Sequence, residues 1–116
     1  MAHAVWEMCG RDTDTLQAWC GRAGQFEYAQ LAPLVFDHEA RDPVARQLLD
    51  RAAASLDTIA RALDPQGQLP LAVCGSIGRR LCERLSPGVR SRLVDAADGP
   101  AAGALTLIRR AVDEAR

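Results

Sequence analysis

The sequence predicts an α/β fold dominated by helices, with a sheet that the chain fills only in part. Three observations lead there. Apolar residues recur at helical spacing between capping signals along most of the chain. One run, Leu69-Pro-Leu-Ala-Val-Cys74, is apolar without the period-2 alternation of a half-exposed strand, as expected of a strand covered on both faces. Only one further segment, Arg92 to Asp95, offers a second short strand to pair with it. A buried parallel strand needs neighbours on both edges, so the sheet is expected to be incomplete.

The elements follow in order. Ala2 to Met8 reads as one or two helical turns stopped by Gly10. Asp12 or Thr13 caps a second short helix, with Leu16, Trp19 and Cys20 on one face before Gly21. A third helix is expected from about Glu27 to Ala40, where Leu31, Leu34, Val35 and His38 share a face and Pro33 marks a start or a kink. Arg41-Asp42-Pro43 is a strong helix start, because Asp accepts from the first free N–H groups and proline gives up one that would be orphaned. The long helix that follows is expected to bury Val44, Leu48, Ala52, Leu56, Ile59 and Leu63, and Asp64-Pro65-Gln66-Gly67 ends it.

After the buried run comes the bend Gly75-Ser76, then Ile77, Leu81 and Leu85 at helical spacing, and Ser86-Pro87 opening a further short helix. Asp98-Gly99-Pro100 is a turn. In the last helix Ala101, Ala104, Leu105, Ile108, Ala111, Val112 and Ala115 form a stripe that must face a sheet or another helix. With no repeat or linker, the whole chain, residues 1–116, reads as a single partial domain.

Composition narrows the function. No apolar segment approaches the roughly 20 residues of a membrane span, and the first residues lack the pattern of a signal peptide, so a cytoplasmic location is expected. All 14 cationic residues are arginine, which excludes a Walker-type phosphate loop and Schiff-base chemistry, since both need a lysine. Residues 1–58 hold five arginines against nine carboxylates, and residues 59–116 nine against six. The basic cluster of Arg79, Arg80, Arg84, Arg90 and Arg92 suits a phosphate, whereas duplex nucleic acid would call for a strongly basic domain.

Cys9, Cys20, Cys74 and Cys82 contain no C-x-x-C pair, and only His3 and His38 could join them, so no metal site is expected. The four thiols read as reduced and mostly buried, and Cys74, at a strand end, as inert. His38 lies between two carboxylates, but no nucleophile elbow accompanies it. No residue is assigned a catalytic role. Trp6, Trp19, Phe26, Tyr28 and Phe36 read as packing residues rather than base-stacking platforms.

Four pieces together, Leu31-Ala-Pro-Leu-Val-Phe36, Arg41-Asp-Pro-Val-Ala45, Leu69-Pro-Leu-Ala-Val-Cys-Gly-Ser76 and Ala102-Gly-Ala-Leu105, resemble the C-terminal portion of the BadF/BadG/BcrA/BcrD-type ATPase family. Within it the chain is similar to bacterial N-acetylglucosamine and glucosamine kinases, over roughly Asp12 to Ala111. The resemblance implies part of the second domain of a ribonuclease-H-like, actin-like ATPase fold, with ATP or ADP and Mg held between two domains. It implies that Gly75 and Ser76 approach the adenosine end of the nucleotide, and Arg79, at the start of the following helix, is the cation placed to reach a phosphate. Ser76 stands where the family has a second glycine, which bears on how closely the backbone can approach.

The family's N-terminal phosphate loop and catalytic aspartate have no counterpart in this sequence. The chain is therefore expected to be inactive alone and to need a missing N-terminal half or a partner chain, and its open sheet edge to favour self-association. The same residues admit a plainer reading, in which Gly75, Ser76 and Gly78 make an ordinary strand-to-helix turn, Arg79 and Arg80 are solvated, and the chain is a non-enzymatic helical interaction module.

Overall fold

A computed structural model describes residues 1–116. The chain is mostly helical: α1 (Ala2–Cys9), α2 (Thr13–Arg22), α3 (Gln25–Ala29), α4 (Ala32–His38), α5 (Pro43–Leu63), α6 (Ser76–Leu81), a 3-10 turn (Cys82–Arg84), α7 (Pro87–Arg90) and α8 (Pro100–Glu114). It divides into two compact units, Met1–Ala53 and Ala54–Arg116.

In the first unit the caps fall where the sequence places them. The Asp12 carboxylate accepts from the Thr15 N–H at 2.8 Å and opens α2. Asp42 accepts from the N–H groups of Val44 at 2.9 Å and Ala45 at 3.3 Å and opens α5. The single helix expected from about Glu27 to Ala40 is instead two, α3 and α4. Proline explains the break: Pro33 has no N–H for the carbonyl four residues back, and its ring would crowd that carbonyl, so the chain restarts with Pro33 in the first turn of α4. His38 Nδ1 donates to the Leu34 carbonyl at 2.8 Å, a satisfied helical histidine.

The aromatic residues do not form a common core. Trp19 and Tyr28 meet edge to face, with ring centroids 5.1 Å apart, while Trp6 and Phe26 are exposed. Cys9 is buried, and burial raises its thiol above the usual cysteine range. The expectation of mostly buried thiols fails for Cys20 and Cys74, which are both exposed. Cys74 sits directly before the exposed Gly75-Ser76 bend, on a segment that pairs through a single bridge.

The long helix α5 turns a different side inward from the one its largest residues suggest. Its buried residues are Ala45, Leu49, Ala53 and Ala60, whereas Val44, Leu48, Ile59 and Leu63 are exposed. The two rows are neighbours on the helix surface, so the apolar stripe is wider than the chain covers. The last helix gives the same result more strongly: every residue from Gly103 onward is exposed, including Leu105, Ile108 and Val112. The stripe expected to face a sheet or helix finds neither within this chain.

In the second unit the core consists of Ala60, Leu81, Leu85 and Val89. Asp57 holds the start of α7, accepting from the Ser86 N–H at 3.0 Å and from its hydroxyl at 3.0 Å. The expected strand over Leu69 to Cys74, covered on both faces, is reduced to one parallel bridge between Leu71 and Leu93. The Leu71 N–H donates to the Arg92 carbonyl at 2.9 Å and the Val94 N–H to the Leu71 carbonyl at 2.8 Å. With a single short neighbour on one edge the pairing stays at one bridge, and Leu69 is exposed while Leu71 and Val73 are only half-buried. The pairing of the 92–95 segment with this run is the one the sequence suggests.

Candidate functional site

The site is built at the ends of these two parallel segments. Asp64, directly after α5, accepts from the N–H groups of Gly67 at 3.1 Å and Leu69 at 2.8 Å, and it is ion-paired with Arg92. Arg92 also donates to the Leu69 carbonyl at 3.3 Å. One carboxylate thus fixes the loop that leads into the first segment and the residue that leads into the second.

Beyond Val73 the chain bends. Gly75 has φ 88° and ψ 155°, a region that is essentially glycine-only, and open space surrounds the position a Cβ would take. The bend therefore needs glycine for its backbone and not for want of room. Ser76 begins α6, and no side chain caps the helix start. At Gly78 the requirement is steric, since a Cβ there would lie 2.7 Å from Val73 Cγ1. Gly78 lets α6 lie directly against the extended segment, the role a third glycine plays in phosphate-binding strand-turn-helix units.

A cavity of about 580 Å³ opens past the carboxyl ends of both segments, lined by Val73, Arg79, Cys82, Leu93, Val94, Asp95 and Ala96. Its size is typical of small-molecule sites, and in open α/β folds this is the end of the sheet at which ligands bind. Of the three residues singled out in the sequence, Arg79 lines the cavity. Gly75 and Ser76 do not; both are exposed in the bend joining Val73 to α6. Nothing in the sequence marks Val73, Cys82 or Asp95 as site residues, whereas Gly78, three residues after Gly75, is legible as part of the strand-to-helix turn.

No family model matches the chain. It is 34% identical over 106 residues to the Vibrio cholerae glucosamine kinase GspK, an alignment covering 90% of this chain and 36% of that protein. It superposes on the crystal structure of a Chromobacterium violaceum protein, provisionally named an N-acetylglucosamine kinase, with a TM-score of 0.83 and 46% identity, covering 90% of this chain and 36% of the other. The likeness to amino-sugar kinases of the BadF/BadG/BcrA/BcrD type is borne out.

The chain thus spans about a third of the length of these kinases, and the likeness covers both of its units. No helix is long and apolar enough to cross a membrane. For a nucleotide, the cavity offers apolar walls in Val73, Leu93 and Val94, a guanidinium in Arg79 and a carboxylate in Asp95. These match a base, a phosphate and a hydroxyl-bearing ribose, so the residues present fit a nucleoside phosphate. No three His, Cys, Asp or Glu side chains are grouped as ligands for an ion.

Proposed function

We propose that this chain is the nucleotide-binding C-terminal part of an ATP-dependent kinase acting on an amino sugar of the N-acetylglucosamine type, inactive alone. In this reading residues 1–116 form part of the second domain of an actin-like ATPase fold. The Gly75-Ser76 bend approaches the adenosine end of ATP or ADP, bound with magnesium, and Arg79 lies toward its phosphates. The observation that carries the reading is the cavity at the carboxyl ends of the paired segments, in a chain 46% identical to a solved kinase-like structure over 90% of its own length.

Phosphoryl transfer depends on positioning and charge stabilisation across a closed cleft. This chain contributes one wall. It offers the nucleoside the apolar lining of the cavity, with the Gly75-Ser76 bend beside it, and its Arg79 offers positive charge toward a phosphate. The sugar site and the group that accepts the sugar proton belong to the remainder of the kinase. That remainder also gives the exposed stripes of α5 and α8 something to cover them, as an isolated 15-residue helix is only marginally stable in water. The same stripes favour a second reading, a non-enzymatic interaction module that docks on an unrelated protein.

Titration separates the two. With isotope-labelled chain and millimolar ADP, the amide signals of Gly75, Ser76 and Arg79 are expected to shift and saturate. Unmoved signals in a folded sample would exclude nucleotide binding by this chain and leave the interaction module.

A further inference from the structure

The cavity holds two charges of opposite sign that have no use in the fold. Asp95 and Arg79 both line it, both residues are exposed, and neither side chain is joined in an ion pair or hydrogen bond. This sets them apart from Asp57, Asp64 and Arg92, whose charges are spent on Ser86, on the 64–69 loop and on each other. Asp95 lies directly past Val94, whose N–H is fixed to the Leu71 carbonyl, so the backbone that carries it is anchored.

The chemistry of the lining restricts what can fill it. A simple anion is repelled by Asp95 and a simple cation by Arg79. A carboxylate only accepts, so it must be met by a ligand's donors, while the guanidinium must be met by an anion. A sugar phosphate satisfies both charges but leaves the apolar wall of Val73, Leu93 and Val94 uncovered. A nucleoside phosphate satisfies all three.

We infer that Asp95 is the ribose-recognising residue of this site, accepting hydrogen bonds from the 2′- and 3′-hydroxyls of a nucleoside phosphate whose phosphates lie toward Arg79. The inference rests on the nucleotide reading above and adds a selectivity to it: the site prefers ribonucleotides. Losing hydroxyl donors to a carboxylate costs about tenfold in affinity or more.

The test compares ADP with 2′,3′-dideoxyADP on the purified chain and on Asp95→Asn, reading dissociation constants from amide shifts. The parent chain is expected to bind ADP about tenfold more tightly than the dideoxy analogue, and Asp95→Asn to bind the two alike, with ADP weakened about tenfold. An amide spectrum of Asp95→Asn unchanged away from the cavity shows that the fold is intact. If the variant does not fold, the analogue comparison on the parent chain decides alone. Equal binding of ADP and its dideoxy analogue by the parent, or an undiminished preference in a folded Asp95→Asn, overturns the role of Asp95 while the nucleotide reading stands. Failure of the parent to bind ADP at all overturns both.

Discussion

Leu81→Ala is expected to lower the stability of the 54–116 unit by about 3 kcal/mol, a loss at the centre of the range for buried leucines. Leu81 is 2% exposed and is the largest side chain fully buried in the protein. Its companions, Ala60, Leu85 and Val89, are few, so the hole left by the substitution has little around it to collapse into. Typical domain stabilities are roughly 5–15 kcal/mol, which makes this a large fraction of what a small unit has. The damage should reach the site, because Leu81 ends the helix that carries Arg79 and precedes Cys82, another cavity residue. Denaturant unfolding measures the loss. Hydrogen exchange should show faster opening of the amides of α6 and of residues 93–95. A change under about 1 kcal/mol would mean that Leu81 is not the anchor of this unit.

Asp64→Ala should be the most damaging change to a polar residue. It removes the acceptor for the N–H groups of Gly67 and Leu69 and the partner of Arg92 in one step, from a carboxylate whose side chain is only 10% exposed. The melting temperature is expected to fall by several degrees, with the Leu71–Leu93 bridge the first structure lost. The effect should depend on pH with a definite sign. The Leu69 N–H, followed by the positive charge and hydrogen bond of Arg92, outweighs desolvation and holds the Asp64 carboxyl below the usual carboxylate range. A carboxyl depressed in the folded state stabilises at pH values above its unfolded value, about 3.9, and loses that contribution as pH falls through the folded one. The gap in melting temperature between the parent and Asp64→Asn should therefore be full near neutral pH and shrink below about pH 4. A gap that stays constant down to low pH would show that the charge of Asp64 adds nothing to its hydrogen bonds.

What could be read in the sequence and what could not divides along the range of the forces involved. Caps were legible because they are local: Asp12 and Asp42 bond to N–H groups two or three residues away, and Pro87 and Pro100 sit in first turns whatever lies around them. Gly75 was legible as a bend for the same reason, since its backbone angles admit almost nothing else. The buried side of α5 was not legible. Whether the helix turns Ala45, Leu49 and Ala53 inward or Val44 and Leu48 is decided by what packs against it, which no local pattern records. The strand was overestimated because six apolar residues record what a segment tolerates, whereas a ladder also needs a partner, and only Leu93 supplies one. Asp95 was invisible as a site residue because its meaning comes from facing a cavity, and no spacing along the chain encodes that.

If this chain is the nucleotide wall of an amino-sugar kinase, it should work in place of the matching part of a relative. The most direct measurement places it there: the corresponding third of the Chromobacterium violaceum protein, 46% identical, is replaced by this chain, and ATP-dependent phosphorylation of N-acetylglucosamine is followed. The chimera is expected to phosphorylate the sugar, and Gly75→Val within it to raise the KM for ATP far more than the KM for the sugar. A folded chimera that binds the sugar but no ATP would contradict that expectation.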